Sequence, residues 1–199
     1  MQRLITVVGN SGVGKTTFAQ QLCRLGAFST GWEQHAERPF QALFSQDLPR
    51  YALANQVDYL LLRAEQESAI RLGATTGVMD GGLEQDFFVF TRLFYRRGYL
   101  TKEEYRLCER IFHFIRQFLP PPDLIIRLVA PLEVVAERYA RRSRGLEIAK
   151  IDDLMELEKL LNDWLGTVTD SPLLTVDASP DDPGYAQALE DVLGVIKSI

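Results

Sequence analysis

Cysteine is nearly absent: Cys23 and Cys108 are the two in 199 residues. So few thiols exclude a disulfide scaffold, and a reducing, cytoplasmic setting is the simple expectation. Histidine is as scarce, and neither His35 nor His113 has Cys or His neighbours at ligand spacing, so no zinc site is expected. No apolar run approaches the roughly 20 residues that span a bilayer. The leading run, Leu4 to Val8, stops at Gly9 and is too short for a secretory signal. A membrane is therefore not expected as a partner. Positive charge is not in excess either, since the formal net charge is −5. A nucleic-acid polymer would be better matched by a basic chain. A small anion held by a local Arg cluster remains open. No linker, repeat or low-complexity tract divides the chain, and 46% hydrophobic content suits one domain over residues 1–199.

The chain does contain a full phosphate-loop pattern. Gly9-Asn10-Ser11-Gly12-Val13-Gly14-Lys15-Thr16 fits G-x-x-x-x-G-K-[ST], with Thr17 following. It comes after a short β-branched run and opens a helix, which is the context this motif requires. Glycines let backbone N–H groups turn toward phosphate oxygens, and the helix N-terminus adds roughly half a positive charge. Lys15 is placed to reach the terminal phosphates and Thr16 to bind Mg²⁺. A nucleoside triphosphate, ATP or another, is the implied ligand. The motif does not say which reaction follows.

Strands and helices alternate along the rest. Strands are expected at 4–8, weakly at 27–30, at 75–80, at 123–129 and at 173–176. Helices are expected at 15–25, 38–46, from Pro49 to about 72, 83–97, from Thr101 to about 119, 131–142, 152–167 and 183–197. Thr101 and Glu104 form a capping box. Leu107, Ile111, Phe114, Ile115 and Phe118 fall on one face of the helix that follows. The pattern predicts an α/β fold with a parallel sheet covered on both sides. Ligands of such folds bind beyond the carboxyl ends of the strands, where Gly9, Asp80 and the segment after Val129 fall.

Several stretches, in this order and spacing, resemble the deoxynucleoside kinase family. They are Arg38-Pro39-Phe40, Pro49-Arg50-Tyr51-Ala52 with Gln56 and Arg63, Phe94-Tyr95 through Gly98, and Asp123-Leu124-Ile125-Ile126. Pro131-Leu132-Glu133 through Arg138, Arg142, Arg144 and Glu147 to Asp163-Trp164-Leu165 completes the set. The resemblance implies a P-loop NTPase fold with five parallel strands and a basic lid at about 141–150. It also implies an ATP-type donor, Mg²⁺, transfer to the 5′-hydroxyl of a small nucleoside-like substrate, and a homodimer. By resemblance Glu33 is the general base, Gln56 reads the base edge, and Arg63 pairs with Asp86 beside it. Arg138, Arg142 and Arg144 serve the phosphates from the lid, with Arg142 and Arg144 acting in transfer. Glu147 contacts the sugar, and Phe90 faces the base. Read without the family, Glu33 is an ordinary surface carboxylate, Gln56 and Arg63 a polar helix face, the lid arginines a solvated basic helix end, and Phe87, Phe88 and Phe90 core. Trp32 and Trp164 read as core.

The chain also departs from that family. An acid-Arg-Ser sequence after the third strand is replaced by Asp80-Gly81-Gly82. Asp80 can still hold Mg²⁺, but the Arg is missing. Ser45 stands where a Tyr is usual, and Asn55 where an aromatic is common. These changes cluster on the acceptor side. Three readings stay open: a nucleoside kinase in which Arg92, Arg96 or a lid Arg covers the lost charge, a nucleoside monophosphate kinase, and a nucleotide-binding module without turnover.

Overall fold

The computed structural model describes residues 1–32, 38–141, 151–180 and 185–198. Glu33, Arg142, Arg144, Glu147 and almost all of the expected lid lie outside these.

Five strands form one parallel sheet: β1 (Leu4–Val8), β2 (Ser29–Gly31), β3 (Gly77–Asp80), β4 (Leu124–Val129) and β5 (Leu173–Asp177). Their order is β2-β3-β1-β4-β5. β1 is central and every residue of it is buried, as a strand covered on both faces should be. Val7 lies opposite Asp80 on one side and Ile126 on the other. The weak second strand falls two residues later than its expected start.

The helices are α1 (Lys15–Arg24), α2 (Pro39–Gln46), α3 (Leu48–Leu72), α4 (Leu83–Gln85), α5 (Arg92–Arg96), α6 (Lys102–Arg116), α7 (Leu132–Arg141), α8 (Leu154–Leu165) and α9 (Ala186–Ser198). Asp47 caps α3 by accepting from the Arg50 N–H, and Thr101 and Glu104 form the expected capping box on α6. The main core lies between these helices and the sheet, from Ile5, Val7 and Phe18 through Ile126 to Trp164 and Val192. Trp164 is buried and Trp32 packs half-buried against the core, as expected. Among the described residues no helix is long and apolar enough to cross a membrane.

Two elements differ from the sequence reading. The helix expected over 83–97 is broken by a π-helical stretch, Asp86–Thr91, between α4 and α5. The apolar stripe of α6 does not point inward as a whole. Cys108 and Phe112 are buried, whereas Leu107, Phe114 and Phe118 are 40%, 60% and 64% exposed. Periodicity located an apolar face but could not say what covers it.

α3 carries a feature that periodicity of apolar residues could not show. Arg63, Glu67 and Arg71, four residues apart, are all buried. Glu67 receives a two-pronged bond from Arg116 at 2.8 and 2.9 Å. Arg116 also reaches Glu84 at 2.6 Å. Arg71 holds Asp123 at 2.5 Å and the Pro121 carbonyl at 2.7 Å, pinning the chain that enters β4. Glu67 also has Arg71 Nε at 3.9 Å, whereas buried Glu84 shares Arg116 with it and faces the Glu67 charge. Burial therefore pushes the Glu84 carboxyl up from 4.5 to about 6, with Arg116 pulling the other way.

An acid with a raised folded pKa takes up a proton on folding. Its stabilising share is fully present below pH 4.5 and is lost as pH rises through about 6. Denaturant unfolding of the wild type relative to Glu84→Gln should thus show the wild type losing about 2 kcal/mol across that window. Parallel pH profiles for the two proteins would contradict it.

Candidate active site

β1 ends at Val8 and the chain turns at once through Gly9. Gly9 has φ +152°, and a Cβ there would stand 2.8 Å from the Leu128 carbonyl oxygen and 2.9 Å from Val13 Cγ1. Only glycine lets the loop pass this close to β4. The loop then feeds α1, whose N-terminus has neither a side-chain cap nor an acidic residue in its first turn. The N–H groups of its first turn and its positive end form a seat for an anion.

Loop and strands converge at the carboxyl edge of the sheet. The Thr16 hydroxyl donates to Asp80 Oδ2 at 2.5 Å. Lys15 Nζ donates to the Gly9 and Asn10 carbonyls, both at 3.0 Å. Thr17 is exposed in the first turn of α1. Thr16 and Asp80 present two hard oxygen donors at one point, a set suited to Mg²⁺, which takes few protein ligands and completes its shell with phosphate and water. Among the described residues there is no group of three His, Cys, Asp or Glu side chains to hold a different metal.

Two amides brace the loop: Asn10, expected as part of the loop itself, and Gln85, which the sequence does not single out. Asn10 Nδ2 donates to the Leu154 carbonyl at 2.8 Å and to Glu158 at 3.1 Å, tying the loop to α8. Gln85 accepts from the Gly9 N–H at 3.2 Å and donates to the Gly9 carbonyl at 3.1 Å. α7 also packs on the loop, since a Cβ at Gly12 would meet the Val135 carbonyl and Tyr139. From α7, Arg138 donates to the carbonyls of Ala178, Ser179 and Pro180 at 2.6, 3.2 and 3.1 Å. Its guanidinium braces the chain after β5.

Of the expected acceptor residues, Gln56, Arg63 and Asp86 come together on the neighbouring face of α3, while Glu33 and Glu147 lie outside the described residues. Arg63 Nε donates to Asp86 Oδ2 at 2.7 Å, with Arg63 2% exposed. Thr91 Oγ1 donates to Gln56 Oε1 at 2.8 Å and to the Asp86 carbonyl at 3.0 Å. In an α-helix residues five apart diverge by roughly 140°. The wider turn of the π-helical stretch narrows that divergence, so Asp86 and Thr91 both reach α3. Thr91 was missed because a 3.6-residue period assigns it elsewhere. Phe90 is half-buried against the main core.

The departures are also placed. The Cβ that Gly81 lacks would stand 3.0 Å from Arg63 Nη2, and φ there is +81°. Arg92 lies over the Phe88 ring at 4.8 Å, and Arg96 pairs with Glu156. Among the described residues the guanidinium packed against Gly81 is that of Arg63, and the lid arginines Arg142 and Arg144 lie outside them. Ser45 is exposed and donates to the Ala42 carbonyl at 2.8 Å. Asn55 is fully buried, and among the described residues neither amide atom has a hydrogen-bond partner.

Residues 5–198 match the family model for deoxynucleoside kinases. The chain belongs to the deoxynucleoside kinase family. It is 24% identical to a deoxyadenosine/deoxycytidine kinase of Bacillus subtilis (strain 168), over 97% of this chain and 93% of that protein. It is 30% identical to a deoxyadenosine kinase of Dictyostelium discoideum, over 79% of this chain and 63% of that protein. A structure of deoxyadenosine kinase from M. mycoides, with products dCMP and a flexible dCDP bound, superposes with a TM-score of 0.83 at 21% identity. That match covers 98% of this chain and 100% of the other, and it supports the P-loop NTPase fold. As a family member the chain is an ATP-dependent nucleoside phosphotransferase.

Proposed function

We propose that this kinase transfers the γ-phosphoryl group of Mg-ATP to the 5′-hydroxyl of a deoxynucleoside. The observation that carries the reading is the shared edge. The Lys15–Thr16–Asp80 group and the buried Gln56–Arg63–Asp86 group meet where β3 runs into α4, with Arg63 against Gly81. The relatives' own substrates, as their names give them, are deoxyadenosine, deoxycytidine and deoxyguanosine. These bases present both donors and acceptors, as an amide such as Gln56 does.

Phosphoryl transfer is largely positioning and charge stabilisation. Loop N–H groups and the α1 N-terminus bind the phosphates. Lys15 leaves the Gly9 and Asn10 carbonyls for the terminal phosphates. Thr16 and Asp80 would hold Mg²⁺, which would neutralise phosphate charge when bound. Asp86 orients Arg63, and Thr91 orients Gln56, so that both side chains are fixed before a base arrives. Glu33 accepts the hydroxyl proton, and Arg142, Arg144 and Glu147 act from the lid side on family resemblance, joined by Arg138 once it leaves the Ala178, Ser179 and Pro180 carbonyls.

We further propose a homodimer through the outward stripe of α6 and the turn after it, where Phe114 packs edge-on against Phe118 at 5.1 Å. Large exposed apolar clusters mark association surfaces. Two unpaired thiols fit a reducing cytoplasm.

Incubation with Mg-ATP and each deoxynucleoside should yield ADP and a 5′-monophosphate, identified by mass spectrometry. Lys15→Ala should reduce turnover by about a hundredfold or more, and EDTA should stop it. Diphosphates formed from monophosphates alone, or no acceptor-dependent ADP, would replace this reading. Phe114→Glu/Phe118→Glu should sediment as a monomer beside a dimeric wild type. An unchanged dimer would reject the α6 surface.

A further inference from the structure

Gly9 opens the phosphate loop, and its carbonyl oxygen has two visitors. Lys15 Nζ donates to it at 3.0 Å and Gln85 Nε2 at 3.1 Å. The Gln85 Oε1 atom meanwhile accepts from the Gly9 N–H at 3.2 Å. This pairing fixes the orientation of the amide, because exchanging its O and N would break both bonds. Gln85 is 2% exposed, so its amide cannot trade these partners for water. The two groups differ in what binding does to them. Lys15 must leave the carbonyl to meet phosphates. Gln85 has no such reason to leave.

We infer that Gln85 is a positioning residue of the donor site, which holds Gly9 and keeps its carbonyl satisfied when Lys15 swings to the triphosphate. A buried carbonyl left without a donor opposes the change that strands it. With Gln85 in place, Lys15 can move without stranding the Gly9 oxygen. Gln85 also precedes Asp86, which orients Arg63. Adjacent residues thus fix the first residue of the donor loop and the buried cation on the acceptor side. The inference rests on the donor half of the proposed function and is independent of which nucleoside is phosphorylated.

Equilibrium binding of Mg-ATP, without acceptor, tests it. Gln85→Ala loses both bonds and should weaken binding about tenfold or more at every pH. Gln85→Glu is the informative variant. Ionised, it cannot donate to the Gly9 carbonyl and faces it with another acceptor. Protonated, it regains the donor. Its affinity should be reduced at about pH 8 and recover toward wild type as pH falls to about 5.5, a recovery Gln85→Ala does not share. In the unmodified protein, the Gly9 amide should exchange slowly with deuterium both with and without nucleotide. If Gln85→Ala binds Mg-ATP like wild type, if Gln85→Glu is weak without pH dependence, or if the Gly9 amide exchanges fast, the assignment falls. A wild type that binds no Mg-ATP would overturn the donor reading itself, which is a separate result.

Discussion

Val7 is paired in register with Asp80 on one side and Ile126 on the other, and that double pairing decides where the phosphate loop starts. The Gly81 N–H continues the ladder by donating to the Val7 carbonyl at 2.9 Å. A loop leaving β1 one residue later would separate Thr16 from Asp80 and push Gly9 into the Leu128 carbonyl. The close approach to β4, the φ of Gly9 and the meeting of Thr16 with Asp80 are consequences of one register. Parallel strands buried on both faces tolerate no slip, because each one-residue shift turns every side chain over.

A second constraint comes from α3. Its buried Arg63, Glu67 and Arg71 each take a partner from a different element: Asp86 from the π-helical stretch, Arg116 from α6 and Asp123 from the approach to β4. Buried ion pairs contribute little net stability against their desolvation cost, but a broken pair is strongly unfavourable. In this chain the three pairs penalise any other seating of α3. The same helix that locks the fold therefore presents Gln56 and Arg63 at the sheet edge.

Local signals were easy to read where they answer to local rules. β1, β3, β4 and β5, the capping box of α6, the loop and the pairing of Arg63 with Asp86 are where spacing or resemblance places them. What stayed hidden depends on contacts distant in sequence. Gln85 looks like an ordinary polar residue until Gly9 is beside it, and the motif that contains Asn10 does not show its bonds to α8. Thr91 joins the acceptor group only because a π-helical stretch replaces an α-helical one. The outward turn of Phe114 and Phe118 was unreadable because an apolar stripe fits a core and an interface equally well. Arg63 against Gly81 is a similar case, since a missing side chain leaves room that only a structure shows to be taken.

The proposed reaction requires donor and acceptor to be held at once, end to end, across the Asp80–Gly81 turn. A bisubstrate ligand, a deoxynucleoside joined through a polyphosphate to adenosine, tests this most directly. Its inhibition pattern should be competitive against both ATP and the deoxynucleoside. Competition with ATP alone, with a non-competitive pattern against the deoxynucleoside, would mean that the Gln56–Arg63–Asp86 side is not where the acceptor lies.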